Sequence, residues 1–265
     1  MVYPFQDLLS EVRSIHPLVH HITNYVTVND CANICICSGG SPVMTDAEDD
    51  IKGMTPIANS VVLNMGTLNP RTVEAMVQAG RIAKEKGVIV VFDPVGAGAT
   101  EYRNQVAARI IEEVRPDIIK GNSGEISFLA GIKGGVRGVD STSSSDNMAD
   151  IVRETAKRFG CIVASTGKTD YVSDGKDVYI LRNGDDMEGN VSGTGCMLSS
   201  VIGSYVGACG AKAESVVAAI SAFNIAAEHS AKTCKGPGSF KVGLFDCLFN
   251  LTPAEVSAEA KVEKV

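Results

Sequence analysis

Val88-Ile-Val-Val-Phe92, closed by Asp93-Pro94, is an unbroken apolar run rich in β-branched side chains. A strand with no polar face must be covered on both sides, which is the condition of an inner strand in a parallel sheet. The flanking segments keep the same alternation. Upstream, Ser60-Val-Val-Leu-Asn64 is a second short run, and residues 71–86 carry Val73, Met76, Val77 and Ile82 at helical spacing. Downstream, Val106, Ala107, Ile110, Ile111 and Val114 form one helical stripe. Residues 117–120 then read as a strand, 123–130 as a short helix and 161–165 as another strand. Between the last two, 146–159 reads as a helix with Met148, Ile151, Val152, Thr155, Ala156 and Phe159 inward. This alternation predicts a parallel sheet with right-handed crossovers. Beyond it, 170–181 reads as a hairpin around Ser173-Asp-Gly-Lys176, and 193–250 as almost wholly helical. The expected fold is α/β: a three-layer α/β/α sandwich with a mostly parallel central sheet, one domain over residues 1–265 and no separate lid domain.

Composition narrows the class. With 265 residues, 45% of them apolar, the chain can bury a core without disulfide or metal staples. A net charge of −7 and a pI near 5.2 argue against nucleic acid, which needs a basic face. The N-terminus lacks the basic and apolar regions of a signal peptide, and the most apolar stretch, 216–227, is too short to span a bilayer. No CxxC pair occurs among the eight Cys, so reduced thiols in a soluble cytoplasmic protein are expected, without a membrane partner. His20, His21, Cys31, Cys35 and Cys37 complete no metal set and are expected to be packing residues. The polar run 139–146 should be a loop capping the helix after it. The tail 257–265 should fray or cap a helix.

Three features point to chemistry. In Asn190-Val-Ser-Gly-Thr-Gly-Cys196, Gly193 and Gly195 open a helix. The unpaired N–H groups of such a start, with the helix dipole, form a cradle for an anion. Cys196 falls in that first turn, where the same field favours thiolate. A tight turn into a buried helix is the plainer alternative. Asp93 ends one strand and Glu125 lies just past another, the positions where open α/β sheets bind ligands. Acids there suit Mg2+, which takes few protein oxygens; an Asp-Pro turn and a helix cap are the structural alternatives. Together, two acids and an anion cradle read as phosphoryl transfer. Gly167-Lys-Thr169 is not a P-loop, because position 162 is Ile and a hairpin follows.

Several segments in order resemble the hydroxyethylthiazole kinase family, of the ribokinase-like group. They are Pro17-Leu-Val-His-His-Ile-Thr-Asn24, Gly40-Ser-Pro-Val-Met-Thr45, Leu63-Asn-Met-Gly-Thr-Leu68, Asp93-Pro-Val-Gly-Ala-Gly-Ala99, Gly121-Asn-Ser-Gly-Glu125, residues 191–196 and Lys235-Gly-Pro-Gly-Ser-Phe240. The resemblance implies ATP-dependent phosphorylation of the hydroxyl of 5-(2-hydroxyethyl)-4-methylthiazole, in thiamine salvage. It implies a thiazole site at Met44 and Gly193 with Asn24, Gly66 and Thr67 nearby, and ATP contacts from Lys120 and Thr166. It also implies Asp93 and Glu125 as magnesium acids, and Gly193, Thr194, Gly195 and Cys196 as anion hole and base position. A homotrimer with sites between subunits is expected to exclude water. One departure is Lys120, where the family usually carries Arg; lysine keeps the charge but not the bidentate fork. Related sugar kinases have Asp where Cys196 stands. Two rival readings are a nucleotide-dependent hydrate dehydratase of the same fold and a non-catalytic sensor. Against the first stand segments 17–24 and 40–45; against the second, the joint presence of Asp93, Glu125 and Gly193–Cys196. A kinase for another small primary alcohol is the nearer alternative.

Overall fold

The computed structural model describes residues 5–132 and 145–265. The loop expected over 139–146 therefore lies outside the described residues up to position 144. In chain order the elements are α1 (Phe5–Ile15), β1 (Leu18–Ile22), α2 (Val28–Ser38), β2 (Ser41–Met44), α3 (Glu48–Met54), β3 (Ser60–Asn64) and α4 (Pro70–Lys86). There follow β4 (Ile89–Asp93), α5 (Glu101–Val114), β5 (Ile118–Asn122), α6 (Ser123–Leu129), α7 (Ser145–Phe159), β6 (Ile162–Thr166), β7 (Asp170–Ser173) and β8 (Val178–Leu181). The chain closes with α8 (Thr194–Cys209), α9 (Ala213–Thr233), α10 (Pro237–Asn250), α11 (Pro253–Glu259) and β9 (Val262–Lys264).

The strands form one sheet in the order β2-β1-β3-β4-β5-β6-β7-β8-β9. Pairings from β2 to β6 are parallel and those from β6 to β9 antiparallel. The continuous apolar runs are explained by their cover. Val61 and Leu63 of β3, with Val90 and Phe92 of β4, face α4 and α5; Val62 and Val91 face α8 on the other side. Two buried cores thus sandwich the sheet, as the α/β/α expectation required. Among the described residues no helix is long and apolar enough to cross a membrane.

Helix α8 lies unusually close to the strands. A Cβ added at Gly203 would sit 2.7 Å from Val62 Cγ2 and 3.0 Å from Val19 Cγ1. The missing side chain lets the axis approach the sheet and fixes the height of the helix tip above the strand ends. The tail departs from expectation: Val262–Lys264 neither frays nor caps a helix but pairs antiparallel with β8. Val262 is half-buried while Glu263 and Lys264 are exposed, and the charges blunt the sheet edge. Ion pairs from Lys264 to Asp177 (2.6 Å) and from Arg182 to Glu263 (3.0 Å) hold it in place.

Candidate active site

Parallel register brings the carboxyl ends of β1, β3, β4, β5 and β6 to one edge. It aligns His21 with Met44, Asn64 with Asp93, and Asn122 with Thr166. Two clefts open there. The first, of about 250 Å³, is lined by His21, Tyr25, Val28, Met44, Thr67 and Arg71 among others. The second, of about 590 Å³, is walled by Asn122, Thr166, Asp170, Glu188, Thr194 and Gly195 among others. Cys196 stands between them. Its sulfur is 3.4 Å from Nδ2 of Asn24, whose neighbours Thr23 and Tyr25 line the first cleft, while Gly195 lines the second.

The tip of α8 is open, not sealed in the core. Gly195 is exposed and Gly193 half-buried. Gly193 is the N-cap, with φ +92°, and no side chain caps the helix. The bond from Met197 N–H to Gly193 O, 2.8 Å, begins the helical ladder. The N–H groups of Thr194, Gly195 and Cys196 precede it and are not used by the helix. The Thr194 hydroxyl donates back to Glu188 O at 3.1 Å, which locks the turn. An anion is stabilised at such a tip without a basic side chain.

Asp93, at the end of β4, is buried. Its Oδ2 accepts from Asn64 Nδ2 (2.8 Å) and Ser199 Oγ (2.7 Å) and lies 3.6 Å from Lys120 Nζ. Glu125 is buried at the start of α6, in a capping box with Asn122. Its two oxygens accept the N–H groups of Gly96 and Asn122, each at 2.7 Å. Burial raises its pKa first and the charge of Asp93 second. Two buried acids that repel one another behind the helix tip fit a hard divalent cation. Such a cation would relieve the repulsion, and Mg2+ needs only one or two carboxylates beside phosphate oxygens and water. The capping role of Glu125 coexists with this, since each carboxylate oxygen has a second lone pair.

Lys120, the expected ATP contact, lies beneath the helix tip. It is buried, donates to Gly195 O at 2.9 Å, and is not among the residues lining the second cleft. Burial opposes its charge, but the carboxylates, Asp93 first, outweigh it and the net direction is up, so the cation persists beneath the helix tip. Cys196 departs from expectation. Burial pushes its thiol up, Asp93 adds to this, and the opposing pull of Lys120 and Asn64 does not offset them. The helix field therefore does not yield a resting thiolate.

Met44 and Thr67 line the first cleft. Asn24 and Gly66 lie behind it; a Cβ at Gly66 would meet the Asn24 side chain at 2.8 Å. Thr166 ends β6 in the wall of the second, its hydroxyl 3.3 Å from Gly121 O. Gly167-Lys-Thr169 leads into β7, so no P-loop helix exists there. Cys31 and Cys35 are buried on α2 and all eight cysteines are free. Sequence reasoning missed Asn64 and Ser199 around Asp93. It also missed Arg103, which donates to the carbonyls of Met65, Gly66 and Val95 and clamps two strand-end loops. The acidic wall of Asp170 and Glu188 was likewise not foreseen. A polar residue ending an apolar run, as Asn64 does, was the one available signal.

Comparison with known proteins shows the family. The model of the hydroxyethylthiazole kinase family matches residues 9–254. A "Hydroxyethylthiazole kinase" of Methanocella arvoryzae is 47% identical over 255 residues, covering 96% of each chain. The solved structure of a hydroxyethylthiazole kinase protein from Pyrococcus horikoshii OT3 superposes with a TM-score of 0.91 at 39% identity, covering 98% of both. A ribokinase-like superfamily protein from Enterococcus faecalis V583 has a TM-score of 0.68 at 11% identity, covering 94% of this chain and 95% of its own, which shows the fold alone.

Proposed function

The chain belongs to the hydroxyethylthiazole kinase family, and on that premise we propose that it moves the γ-phosphoryl group of ATP onto the hydroxyl of 5-(2-hydroxyethyl)-4-methylthiazole, a salvage step toward thiamine. The observation that carries this is the open Gly193 tip of α8 standing between two clefts, with Asp93 and Lys120 behind it. The smaller cleft, with Met44 as a polarizable wall, suits a flat sulfur-containing ring. The larger one suits a nucleotide, with Thr166 at its edge and the helix N–H groups at its end.

Phosphoryl transfer asks little covalent chemistry of a protein; positioning and charge stabilisation supply most of the rate. The N–H groups of Thr194, Gly195 and Cys196 receive the oxygens of the travelling group. Lys120, held by Gly195 O and Asp93, supplies a fixed positive charge from below. The alcohol proton leaves late, to a phosphoryl oxygen, once bonding to phosphorus has made the attacking oxygen acidic; the Cys196 thiol, which keeps its own proton, stands at the base position and orients that oxygen. Asp93 and Glu125 would hold Mg2+, which neutralises phosphate charge when bound. We read the chain as one cytoplasmic domain.

Tyr25 and Val26 stand exposed on the rim of the first cleft, beside Val28, which lines it. Covering them would also exclude water from the reacting centre, and this supports a homotrimer with sites between subunits. Light scattering should give a trimer mass; an active monomer refutes it. The activity itself is tested by ATP consumption with the thiazole alcohol and the mass of the phosphorylated product. Consumption only with a hydrated dinucleotide would favour the dehydratase reading, and none at all the sensor.

A further inference from the structure

We propose that Asn64 is a positioning residue of the reacting centre, one amide at the end of β3 that ties the Asp93 carboxylate to the Cys196 sulfur. The inference rests on the kinase reading above. Asn64 Nδ2 donates to Asp93 Oδ2 at 2.8 Å and to Cys196 Sγ at 3.2 Å. Its Oδ1 accepts the backbone N–H of Gly66 and Nδ2 of Asn24, each at 2.9 Å.

The orientation is forced. The Gly66 N–H can only donate, so an oxygen must face it, and both amide protons are left for Asp93 and Cys196. Asn24 repeats the logic. Its Oδ1 accepts the N–H and the hydroxyl of Thr27, each at 3.1 Å, which turns its Nδ2 toward Asn64 and toward Cys196, 3.4 Å away. The residue is 3% exposed, so water does not substitute for a lost partner. The pairing of Asn64 with Asp93 across β3 and β4 places the amide, and the close approach of α8 brings the sulfur to it.

The consequence is geometric. The acid at the metal position sits on a strand and the group at the base position on a helix. Without a shared partner the two move independently. Asn64 holds both at once, so the alcohol oxygen and the phosphoryl group meet at one fixed separation. A purely structural role is the competing account, in which Oδ1 only shapes the turn at Gly66.

The test compares Asn64→Ala with the isosteric Asn64→Asp, which keeps the accepting oxygen but, with at most one proton to donate, cannot bond Asp93 and Cys196 at once. Steady-state kcat and KM are measured for ATP and the thiazole alcohol, with melting curves as a fold control. Both variants should lose roughly 10- to 100-fold in kcat, the scale of a misplaced reacting group, with each KM within about threefold. In a Cys196→Ala background the Asn64→Ala loss should shrink by at least about threefold, because one of its two acceptors is already gone. Recovery of wild-type kcat by Asn64→Asp, or an equal Asn64→Ala loss in both backgrounds, overturns the proposal. If the alanine variant does not fold, the same comparison is made with Asn64→Asp in the two backgrounds. A wild-type protein inactive on the thiazole alcohol sinks the kinase reading and this proposal with it. An active wild type with unimpaired Asn64 variants sinks the proposal alone.

Discussion

Replacing Gly193 by alanine perturbs the helix tip in two separable ways. The residue has φ +92°, and a Cβ there would stand 2.1 Å from Thr27 Cγ2. The left-handed backbone costs an alanine about 1–2 kcal/mol. Relief of the contact to an ordinary 3.4 Å requires a displacement of about 1.3 Å, taken by α8 or by Thr27. Overpacking of that kind costs a further 1–3 kcal/mol or so, for a total of roughly 2–5 kcal/mol. A shift of this size moves the N–H groups off the travelling phosphoryl group, and about 1 Å of misplacement costs on the order of 100-fold in rate. Thr27 is also the partner that orients Asn24, so its movement propagates to Cys196.

The companion substitution Thr27→Ser deletes the offending methyl and keeps the hydroxyl that bonds Asn24 Oδ1. Gly193→Ala in that background should regain the packing part of the stability loss and at least about tenfold of the lost kcat, the backbone strain remaining. Urea unfolding gives the stabilities, and coupled ADP release gives kcat. Wild-type turnover and stability in Gly193→Ala would refute the reasoning, as would a Thr27→Ser background that restores neither.

Asp93→Ala and Glu125→Ala should each lower kcat by about 10²–10³-fold, whereas Cys196→Asp should stay within about threefold of wild type or exceed it; a dead Cys196→Asp beside near-normal alanine variants reverses the mechanism. The second cleft should be pH-sensitive. Burial, chiefly, pushes Asp170 up to about 6 and Glu188 up to about 7. Both are neutral well below those values and ionise as pH rises through them, so they oppose a bound triphosphate increasingly between about pH 6 and 8. KM for ATP should climb over that range and the climb should flatten in Glu188→Gln; a flat wild-type profile disproves it. Stability carries the same sign: a carboxyl raised in the folded state contributes below its unfolded pKa and loses that contribution as pH rises through the folded one.

How much of this was legible before the structure follows from the range of the interactions. Runs such as 60–64 and 88–92 announce inner strands because burial on two faces leaves a mark in every residue of the run. The Gly193–Cys196 turn is legible for a similar reason: a helix start and a positive φ are local demands, met by residues adjacent in sequence. Asn64 and Arg103 are different. Asn64 acquires its task only when residues 24, 93 and 196 converge on it, and Arg103 only when the carbonyls of Met65, Gly66 and Val95 do. By residue type and position alone, the first reads as a strand end and the second as a helix cation. Cys196 shows the same limit acting on energetics. The local field of a helix start favours thiolate, yet burial and Asp93, brought from 103 positions away, decide the sign against it. The tail at 262–264 is the inverse case, a weak local alternation that becomes a strand because β8 leaves an edge to be covered. Reading the sequence therefore finds where the reacting groups are anchored. The partners that set their protonation and separation come from other strands and helices, and those become visible only through the sheet's register.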